Sequence, residues 1–242
     1  MSLLSVEAAT KRFGGLTALD AVSLEVAPGS ITGVMGANGA GKTTLFSLIA
    51  GTDRPSGGRI TFDGRRVDGL PADRVCRLGI ARTFQIVRPF AGMTVLDNVA
   101  VAAMYGRRRI RARGPADMIA WEVLEATGLA DRAHQAAGSL TLAGRKRLEV
   151  ARALATGPRL LLLDEVMAGL TATEVAEALA MIEDLRRRYD LTILVIEHVM
   201  RALMRLCDRI VVLHHGRLIA IGTPAEIATH PEVVDAYLGG GS

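Results

Sequence analysis

Residues 36–44 of this chain read Gly36-Ala37-Asn38-Gly39-Ala40-Gly41-Lys42-Thr43-Thr44. They match G-x-x-x-x-G-K-[ST], the pattern of a loop that binds nucleotide phosphates. The apolar run Ile31–Met35 before the loop predicts a buried strand, and the apolar residues 45–50 after it predict a helix that ends near Gly51. A glycine-rich turn from strand to helix directs several backbone N–H groups and the helix dipole at one point. The sequence therefore predicts a phosphate site at residues 36–44, which we call the phosphate loop.

Side chains of the phosphate loop add chemistry to its backbone. Lys42 supplies a positive charge for the outer phosphates of a nucleotide. The Thr43 hydroxyl is placed in the pattern to ligate Mg²⁺. The loop alone does not specify which reaction the nucleotide undergoes. The predicted nucleotide-binding positions are Gly36, Asn38, Gly39, Ala40, Gly41, Lys42, Thr43 and Thr44.

Composition limits the class of protein. The chain has 242 residues, enough for one large α/β domain with a smaller lobe. Half of the residues are hydrophobic but only 4% are aromatic, so the core must be built from aliphatic side chains. The net charge of +4 suits an anionic ligand or a membrane surface, but it is too small to indicate nucleic acid. Two cysteines, Cys76 and Cys207, give no disulfide framework or metal spacing and indicate a reducing compartment.

A second candidate site follows the run Leu160-Leu161-Leu162-Leu163-Asp164-Glu165. A fully apolar run of this length is typical of a buried parallel strand. Ligands of open α/β sheets bind at the carboxyl ends of strands, where Asp164 and Glu165 emerge. One carboxylate can hold Mg²⁺ and the other can orient or deprotonate water. The alternative is that both acids only cap the following helix.

Three further residues have a functional and a structural interpretation. Phe13, in the predicted turn 11–15, is either a stacking platform for a base or a local hydrophobic plug. Gln85 ends a predicted strand that begins at Ile80, and a glutamine there is commonly only a solvated amide. His198 follows the apolar strand predicted at residues 191–196 and is either catalytic or structural. The residues alone leave these alternatives open.

Residues from about 90 to 140 predict a helical insert between β-bearing regions. Thr94 is a suitable N-cap before Asp97 for one helix, and residues 116–127 predict a second. The segment 107–113 between them is the most basic of the chain. It is interpreted as a solvated loop, with anionic lipid headgroups or a partner protein as the alternative. Aromatic residues do not alternate with its arginines, which argues against single-stranded nucleic acid.

In this order, Phe13, the phosphate loop, Gln85, the Asp164-Glu165 pair and His198 resemble the ATP-binding subunit of ABC transporters. Three segments resemble the ATPase subunits of branched-chain amino-acid importers more narrowly: residues 13–16, 82–85 and 167–170. The resemblance covers nearly the whole chain. It implies a single α/β domain over residues 1–242, with a P-loop NTPase core, an antiparallel β subdomain, and a helical subdomain at about 90–145.

The resemblance implies a role for each matching residue. Phe13 would stack on the adenine of ATP, and Lys42 would hold the β- and γ-phosphates. Thr43 would ligate Mg²⁺ with help from Gln85 and, through water, from Asp164. Catalysis would fall to residues near the γ-phosphate. Glu165 would polarise the attacking water and His198 would contact the γ-phosphate, so the expected catalytic set is Glu165, His198, Lys42 and Gln85.

Two subunits of this family clamp two ATP molecules, and each completes the other's site with a signature loop that usually reads Leu-Ser-Gly-Gly-Gln, or with a bulkier third residue in amino-acid importers. The corresponding residues here are Leu140-Thr141-Leu142-Ala143-Gly144, which place Thr141 and Ala143 as nucleotide contacts. An alignment shifted by one would make Gly144 the fourth residue and Arg145 the fifth. Ala143 adds a Cβ where the backbone should approach the nucleotide, and Gly144 removes the usual amide side chain. Val166 and Thr171 also depart from the family's proline and its Asp or Asn. We therefore expect slower or more partner-dependent hydrolysis.

The resemblance also implies partners and location. It predicts a peripheral subunit on the cytoplasmic face of the plasma membrane, bound to integral-membrane permeases near residues 85–90. A second copy or a paralogous ATPase would complete the dimer, and a substrate-binding protein would act indirectly. No nucleic acid is expected. Competing interpretations are a soluble ABC ATPase acting on ribosomes or DNA, and a small-molecule kinase. Because an ATPase subunit does not touch the cargo, amides, urea and aromatic acids stay open beside branched-chain amino acids.

Overall fold

The structure is a computed structural model that describes residues 2–84 and 89–238, without the side chains of residues 237 and 238. Two compact units divide the chain. Unit 1 comprises residues 1–72 and 192–242, and unit 2 comprises residues 73–191. Strands among the described residues are β1 Leu4–Phe13, β2 Leu16–Val26, β3 Ile31–Met35, β4 Gly57–Phe62, β5 Arg65–Arg66, β6 Ile80–Arg82, β7 Leu160–Asp164, β8 Thr192–Ile196, β9 Arg209–His214 and β10 Arg217–Gly222.

Helices connect these strands. Two short 3₁₀ helices, Ala130–Arg132 and Ala137–Ser139, accompany the α-helices of unit 2. The α-helices are α1 Lys42–Ile49, α2 Ala72–Leu78, α3 Val95–Tyr105, α4 Arg113–Ala126, α5 Leu142–Ala155, α6 Ala172–Arg188, α7 Met200–Leu206, α8 Pro224–Ala228 and α9 Pro231–Leu238.

Unit 1 contains an antiparallel sheet in the order β2-β1-β4-β5. The β-rich, alternating sequences at residues 3–8 and 21–26 predict two strands, but β1 and β2 are longer and pair to the end, where Phe13 faces Leu16. The predicted turn at residues 11–15 is therefore wrong for Lys11 to Phe13, and only Gly14 and Gly15 turn. Cross-strand hydrogen bonds over the whole hairpin outweigh the polar, glycine-containing local sequence.

Unit 1 also contains four hydrogen-bonded strands in the spatial order β10-β9-β3-β8. Strand β3 runs parallel to both β9 and β8, with Val34 opposite Ile196. Every residue of β3 and β8 is buried, as expected for parallel strands covered on both faces. Helix α1 follows β3 where the sequence predicted a helix, although it starts three residues earlier at Lys42. These elements fix the phosphate loop between β3 and α1.

Unit 2 contains the parallel pair β6–β7 and the helices α3 to α6. Thr94 caps α3 as predicted, since its Oγ1 accepts a hydrogen bond of 3.0 Å from Asp97 N. The sequence of residues 148–155 predicts a helix, but α5 begins at Leu142, six residues earlier, because its polar first turns hide the apolar periodicity. The helical subdomain at about 90–145 stays a prediction. The parallel pair brings the carboxyl ends of β6 and β7 to one edge.

Candidate nucleotide-binding and hydrolysis site

The phosphate loop ends at an uncapped helix. Gly41 occupies the N-cap of α1 with φ of 100°, and a Cβ there would lie 2.6 Å from the carbonyl oxygen of Ala18. Only glycine fits this backbone. No side chain caps α1, and its first turn holds no acidic residue. The N–H groups of the first turn are therefore left for an anion, which the helix dipole also favours.

Lys42 is buried at the start of α1. Its Nζ donates hydrogen bonds to the carbonyl oxygens of Gly36 at 2.7 Å and Ala37 at 3.0 Å. The ammonium group is thus held by the loop that it would serve. The other positions of the loop differ in exposure. Asn38, Gly39 and Thr43 are exposed, Thr44 is half-buried, and Gly36 and Ala40 are buried.

Phe13 lies at the end of β1 with 49% of its surface exposed. The Nζ of Lys11 sits 4.6 Å from the centre of the ring, and it also donates to Asp53 Oδ1 at 2.6 Å. The hydrogen bond from Lys11 lowers the pKa of the Asp53 carboxyl, although burial opposes the shift. An exposed aromatic ring fixed from one side by a cation can offer its other side to a planar base.

His198 is exposed two residues after β8. Since β3 and β8 are parallel neighbours, His198 and the phosphate loop both leave the carboxyl edge of the same strands in unit 1. This edge is where open α/β sheets bind ligands. The structure thus brings the phosphate loop and His198 to one edge, as the candidate roles require.

Asp164 and Glu165 lie at the carboxyl end of β7 in unit 2. Both are buried, with 1% and 7% of their surfaces exposed. Glu165 has a φ of 51°, a sparsely populated conformation for a residue with a Cβ. Strain of this kind persists where the surroundings fix the backbone, and it concentrates at functional sites. The acid pair is therefore held in place.

Strand β6 supplies the contacts that fix Asp164. Arg82 Nη2 donates to Asp164 Oδ2 at 2.7 Å, and both side chains are almost fully buried. The backbone N–H of Asp164 donates to Thr83 Oγ1 at 3.0 Å. Sequence reasoning named neither Arg82 nor Thr83 as a site residue. The parallel register of β6 and β7, which sets Arg82 opposite Leu162, is the feature that would have identified these two residues.

Lys146 is a third residue that sequence reasoning missed. It is buried on α5, and its Nζ donates to the carbonyl oxygen of Glu165 at 2.7 Å. This bond fixes the backbone at the strained glutamate and adds a positive charge beside it. A lysine among the polar residues that open α5 gives no sign of this role in the sequence.

The oxygen donors fit Mg²⁺, which prefers hard oxygen ligands. Asp164 Oδ1 is buried and accepts no hydrogen bond from the described residues, so one carboxylate oxygen remains available. Thr43 offers an exposed hydroxyl. Gln85, the third predicted ligand, lies outside the described residues.

The predicted signature loop lies at the start of α5. Thr141 is exposed and caps this helix, since its Oγ1 accepts a hydrogen bond of 3.2 Å from Gly144 N. Leu142 is 49% exposed, and Ala143 is half-buried. Thr171, which departs from the family's Asp or Asn, caps α6 in a capping box with Glu174. Thr141 and Thr171 therefore both serve as helix caps.

We expect Arg82→Met to destabilise the protein by about 3–5 kcal/mol, because it leaves the buried Asp164 carboxylate without its counter-charge. Urea unfolding of the purified chain measures this loss. Arg77→Met is the matched control, since its partner Asp73 is exposed and the pair is worth less than about 1 kcal/mol. The double variant Arg82→Met/Asp164→Asn should regain part of the stability. A loss below about 1 kcal/mol for Arg82→Met alone would contradict the role of the pair.

Comparison with known proteins decides the family. The profile of the ABC transporter family matches residues 19–168. The chain belongs to the ABC transporter family. A second profile, for branched-chain amino acid ATP-binding cassette transporters, matches residues 217–242 of this ATP-binding cassette.

Relatives of this cassette match it over their full length. It is 41% identical to the high-affinity branched-chain amino acid transport ATP-binding protein LivG of Salmonella typhimurium, over 98% of both chains. It is 40% identical to the corresponding protein BraF of Pseudomonas aeruginosa, again over 98% of both. The ADP conformation of an ATP-binding cassette of an ABC transporter superposes with a TM-score of 0.89 at 29% identity, over 99% of both chains. A dimeric bacterial ABC transporter cassette shares the fold with a TM-score of 0.82 at 24% identity, over 91% of this chain and 98% of that one.

These comparisons confirm the predicted fold class, an α/β ABC ATPase with antiparallel β and helical elements. They also confirm that the cassette belongs to an ATP-binding, ATP-hydrolysing family. Across residues 2–84 and 89–238, no helix is both long and apolar enough to cross a bilayer. The roles of individual residues stay predictions.

Proposed function

We propose that this cassette is the ATP-hydrolysing subunit of an ABC importer for branched-chain or related amino acids. The observation that carries the proposal is the 41% identity over 98% of both chains to a branched-chain amino acid transport ATP-binding protein. The phosphate loop, the acid pair and His198 support the proposal, because they are residue types that ATP hydrolysis needs. The subunit acts from the cytoplasmic face of the plasma membrane.

ATP binding falls to unit 1 in this proposal. Phe13 stacks on adenine, while the open N-terminus of α1 and Lys42 bind the β- and γ-phosphates. The Lys42 ammonium exchanges its bonds to the Gly36 and Ala37 carbonyls for phosphate oxygens. Charge-assisted bonds of this kind are stronger than those to neutral carbonyls.

Hydrolysis falls to Glu165 and His198. The Glu165 carboxylate accepts a proton from water as the water oxygen attacks the γ-phosphorus. The bond between that phosphorus and the β–γ bridging oxygen breaks, which yields ADP and inorganic phosphate. His198 donates a hydrogen bond to the γ-phosphate and stabilises its charge. Positioning and charge stabilisation supply most of the acceleration in phosphoryl transfer.

Thr43, Asp164 and Gln85 would hold Mg²⁺. When bound, the ion neutralises charge on the β- and γ-phosphates. Arg82 and Thr83 orient Asp164 for this task, and one carboxylate oxygen remains for a water ligand.

The proposed partners are integral-membrane permeases, a second ATPase subunit and, indirectly, a substrate-binding protein. The second ATPase is another copy of this chain or a paralogue. Expression of the tagged chain with the permeases encoded beside it tests the proposal: the permeases should co-purify from membranes, and the complex should hydrolyse ATP faster when loaded binding protein is added. Association with ribosomes or DNA in place of permeases would favour the alternative, a soluble ABC ATPase.

The altered signature loop leads to a further expectation, that the isolated cassette hydrolyses ATP slowly. Ala143→Gly removes the Cβ that obstructs close approach to the nucleotide of a partner subunit, and we expect turnover to rise about fivefold, the effect of roughly one hydrogen bond. Phosphate release measures turnover. Ala225→Gly, at the same position of the first turn of α8, is the matched control and should change nothing. Turnover as fast as that of a relative with an unmodified loop would contradict the expectation.

A further inference from the structure

The loop between α3 and α4, residues 106–112, concentrates positive charge. It contains four arginines and no acidic residue: Arg107, Arg108, Arg109 and Arg111. We call this segment the arginine loop. Other arginines of unit 2 form ion pairs, including Arg77 with Asp73, Arg113 with Asp97 and Asp117, and Arg147 with Glu177. The four arginines of the loop form none with the residues that the structure describes.

The backbone of the arginine loop is fixed to unit 2. Arg107 N donates to the carbonyl oxygen of Thr156 at 2.8 Å, and Arg109 N donates to that of Gly106 at 3.2 Å. Gly106 packs so closely on Thr156 that a Cβ would lie 2.3 Å from its carbonyl oxygen. The loop therefore presents its charges from a defined backbone, which reduces the entropy lost when a partner binds.

Two open cavities flank the arginine loop, both within unit 2. One, of about 530 Å³, is lined by Arg107, Arg108 and Arg159, but also by the acidic Glu122 and Asp190. The other, of about 500 Å³, is lined by Arg77, Arg109 and Arg111 together with Tyr105. The second cavity has no acidic residue in its described lining, and since Arg77 is paired with Asp73, it offers the guanidinium groups of Arg109 and Arg111 to an anion. Guanidinium forks bind phosphate oxygens in pairs, which makes phosphate the anion that the second cavity fits best.

Apolar and aromatic side chains at the second cavity narrow the choice of partner. Tyr105 is 75% exposed, and Ile110 is half-buried beside it. Amphipathic aromatic rings are enriched where a protein meets lipid headgroups. Clusters of four to eight basic residues are typical of surfaces that bind anionic lipids. Single-stranded nucleic acid would call for aromatic rings spaced among the arginines for base stacking, and the loop has none.

We propose that the arginine loop binds anionic phospholipids, with headgroup phosphates in the second cavity and Tyr105 at the headgroup level. The proposal rests on the membrane location given under the proposed function. It adds a direct lipid contact to the contact with permeases. Such a contact orients the subunit at the membrane independently of nucleotide.

Vesicle co-sedimentation of the full chain tests this contact. The chain should bind vesicles of phosphatidylglycerol and phosphatidylcholine, should not bind phosphatidylcholine alone, and should release at high salt. Replacing the four loop arginines with glutamine should lower binding by more than about a hundredfold, at roughly fivefold per residue. ATPase activity should stay unchanged, which shows that the variant folds.

A matched control variant separates the effect of the arginine loop on vesicle binding from the effect of net charge. It removes four positive charges from exposed positions elsewhere, and it should bind anionic vesicles nearly as well as the unmodified chain. Equal loss in both variants, or binding to neutral vesicles, would overturn the proposal. So would full competition by millimolar inorganic phosphate, which would assign the second cavity to a soluble phosphate compound. Failure of the unmodified chain to bind anionic vesicles while the permeases still co-purify would refute the lipid contact alone, and failure of co-purification with vesicle binding intact would refute only the proposed function. The control replaces Arg59, Arg65, Arg132 and Arg201 with glutamine.

Discussion

Glu165→Gln should reduce ATP turnover by about 10²–10⁴-fold and leave ATP binding intact. The amide has nearly the size of the carboxylate but cannot accept the proton of the attacking water, and general bases contribute rate factors of this order. Glu165 is buried, its φ of 51° is unusual, and its carbonyl oxygen accepts a bond of 2.7 Å from Lys146. These constraints act on the backbone, so the substitution should leave the fold unchanged.

Two measurements separate chemistry from binding in this variant. Phosphate release under single-turnover conditions reports hydrolysis, and titration with a fluorescent ATP analogue reports affinity. Since bound ATP is not consumed, size-exclusion chromatography should also show an ATP-dependent dimer. Glu125→Gln, at an exposed position of α4, is the matched control and should behave like the unmodified chain. Turnover close to normal in Glu165→Gln would move water activation to His198.

Lys42→Ala should weaken ATP binding by about 10–100-fold, because a charge-assisted hydrogen bond contributes about 1.5–3 kcal/mol. Lys42 is a buried residue of the phosphate loop, and its Nζ donates hydrogen bonds to two carbonyl oxygens of the loop. Removing it takes the positive charge from the phosphates and leaves these carbonyls without their donor. Affinity and turnover should therefore fall together, unlike in Glu165→Gln.

Calorimetric titration with ATP measures this loss of affinity. Lys42→Met keeps the aliphatic stem and should lose affinity to a similar degree, which separates the charge from the packing. Ser47→Ala is the matched control on the same helix, and its hydroxyl donates to the carbonyl oxygen of Thr43 at 2.8 Å, within α1. A dissociation constant within about threefold of normal for both lysine variants would contradict phosphate binding by Lys42.

The features that could be predicted from the sequence depend on neighbouring residues and local backbone structure. The phosphate loop consists of nine consecutive residues between an apolar strand and an apolar helix, so strand, turn and helix start could all be recognised from spacing. The same holds for Asp164 and Glu165 after their leucine run. Helices α2 and α7 went unpredicted, because seven residues give too short a pattern.

Contacts between remote segments depended on the tertiary structure. Arg82 and Asp164 are 82 positions apart, and only the parallel pairing of β6 with β7 makes them partners. Lys146 reaches Glu165 from α5 in the same way. No local sequence pattern marks Arg82 or Lys146 as such a partner, because these contacts are determined by the register of strands and the packing of helices.

The sequence by itself thus determined the family, the phosphate loop and the acid pair, since each depends on neighbouring residues and regular periodicity. Only the tertiary structure decided how Asp164 is oriented, how the Glu165 backbone is held, and that the arginine loop is fixed between two cavities. The physical reason is that a buried charge or a close backbone contact requires a partner, and the folded chain supplies it from far along the sequence.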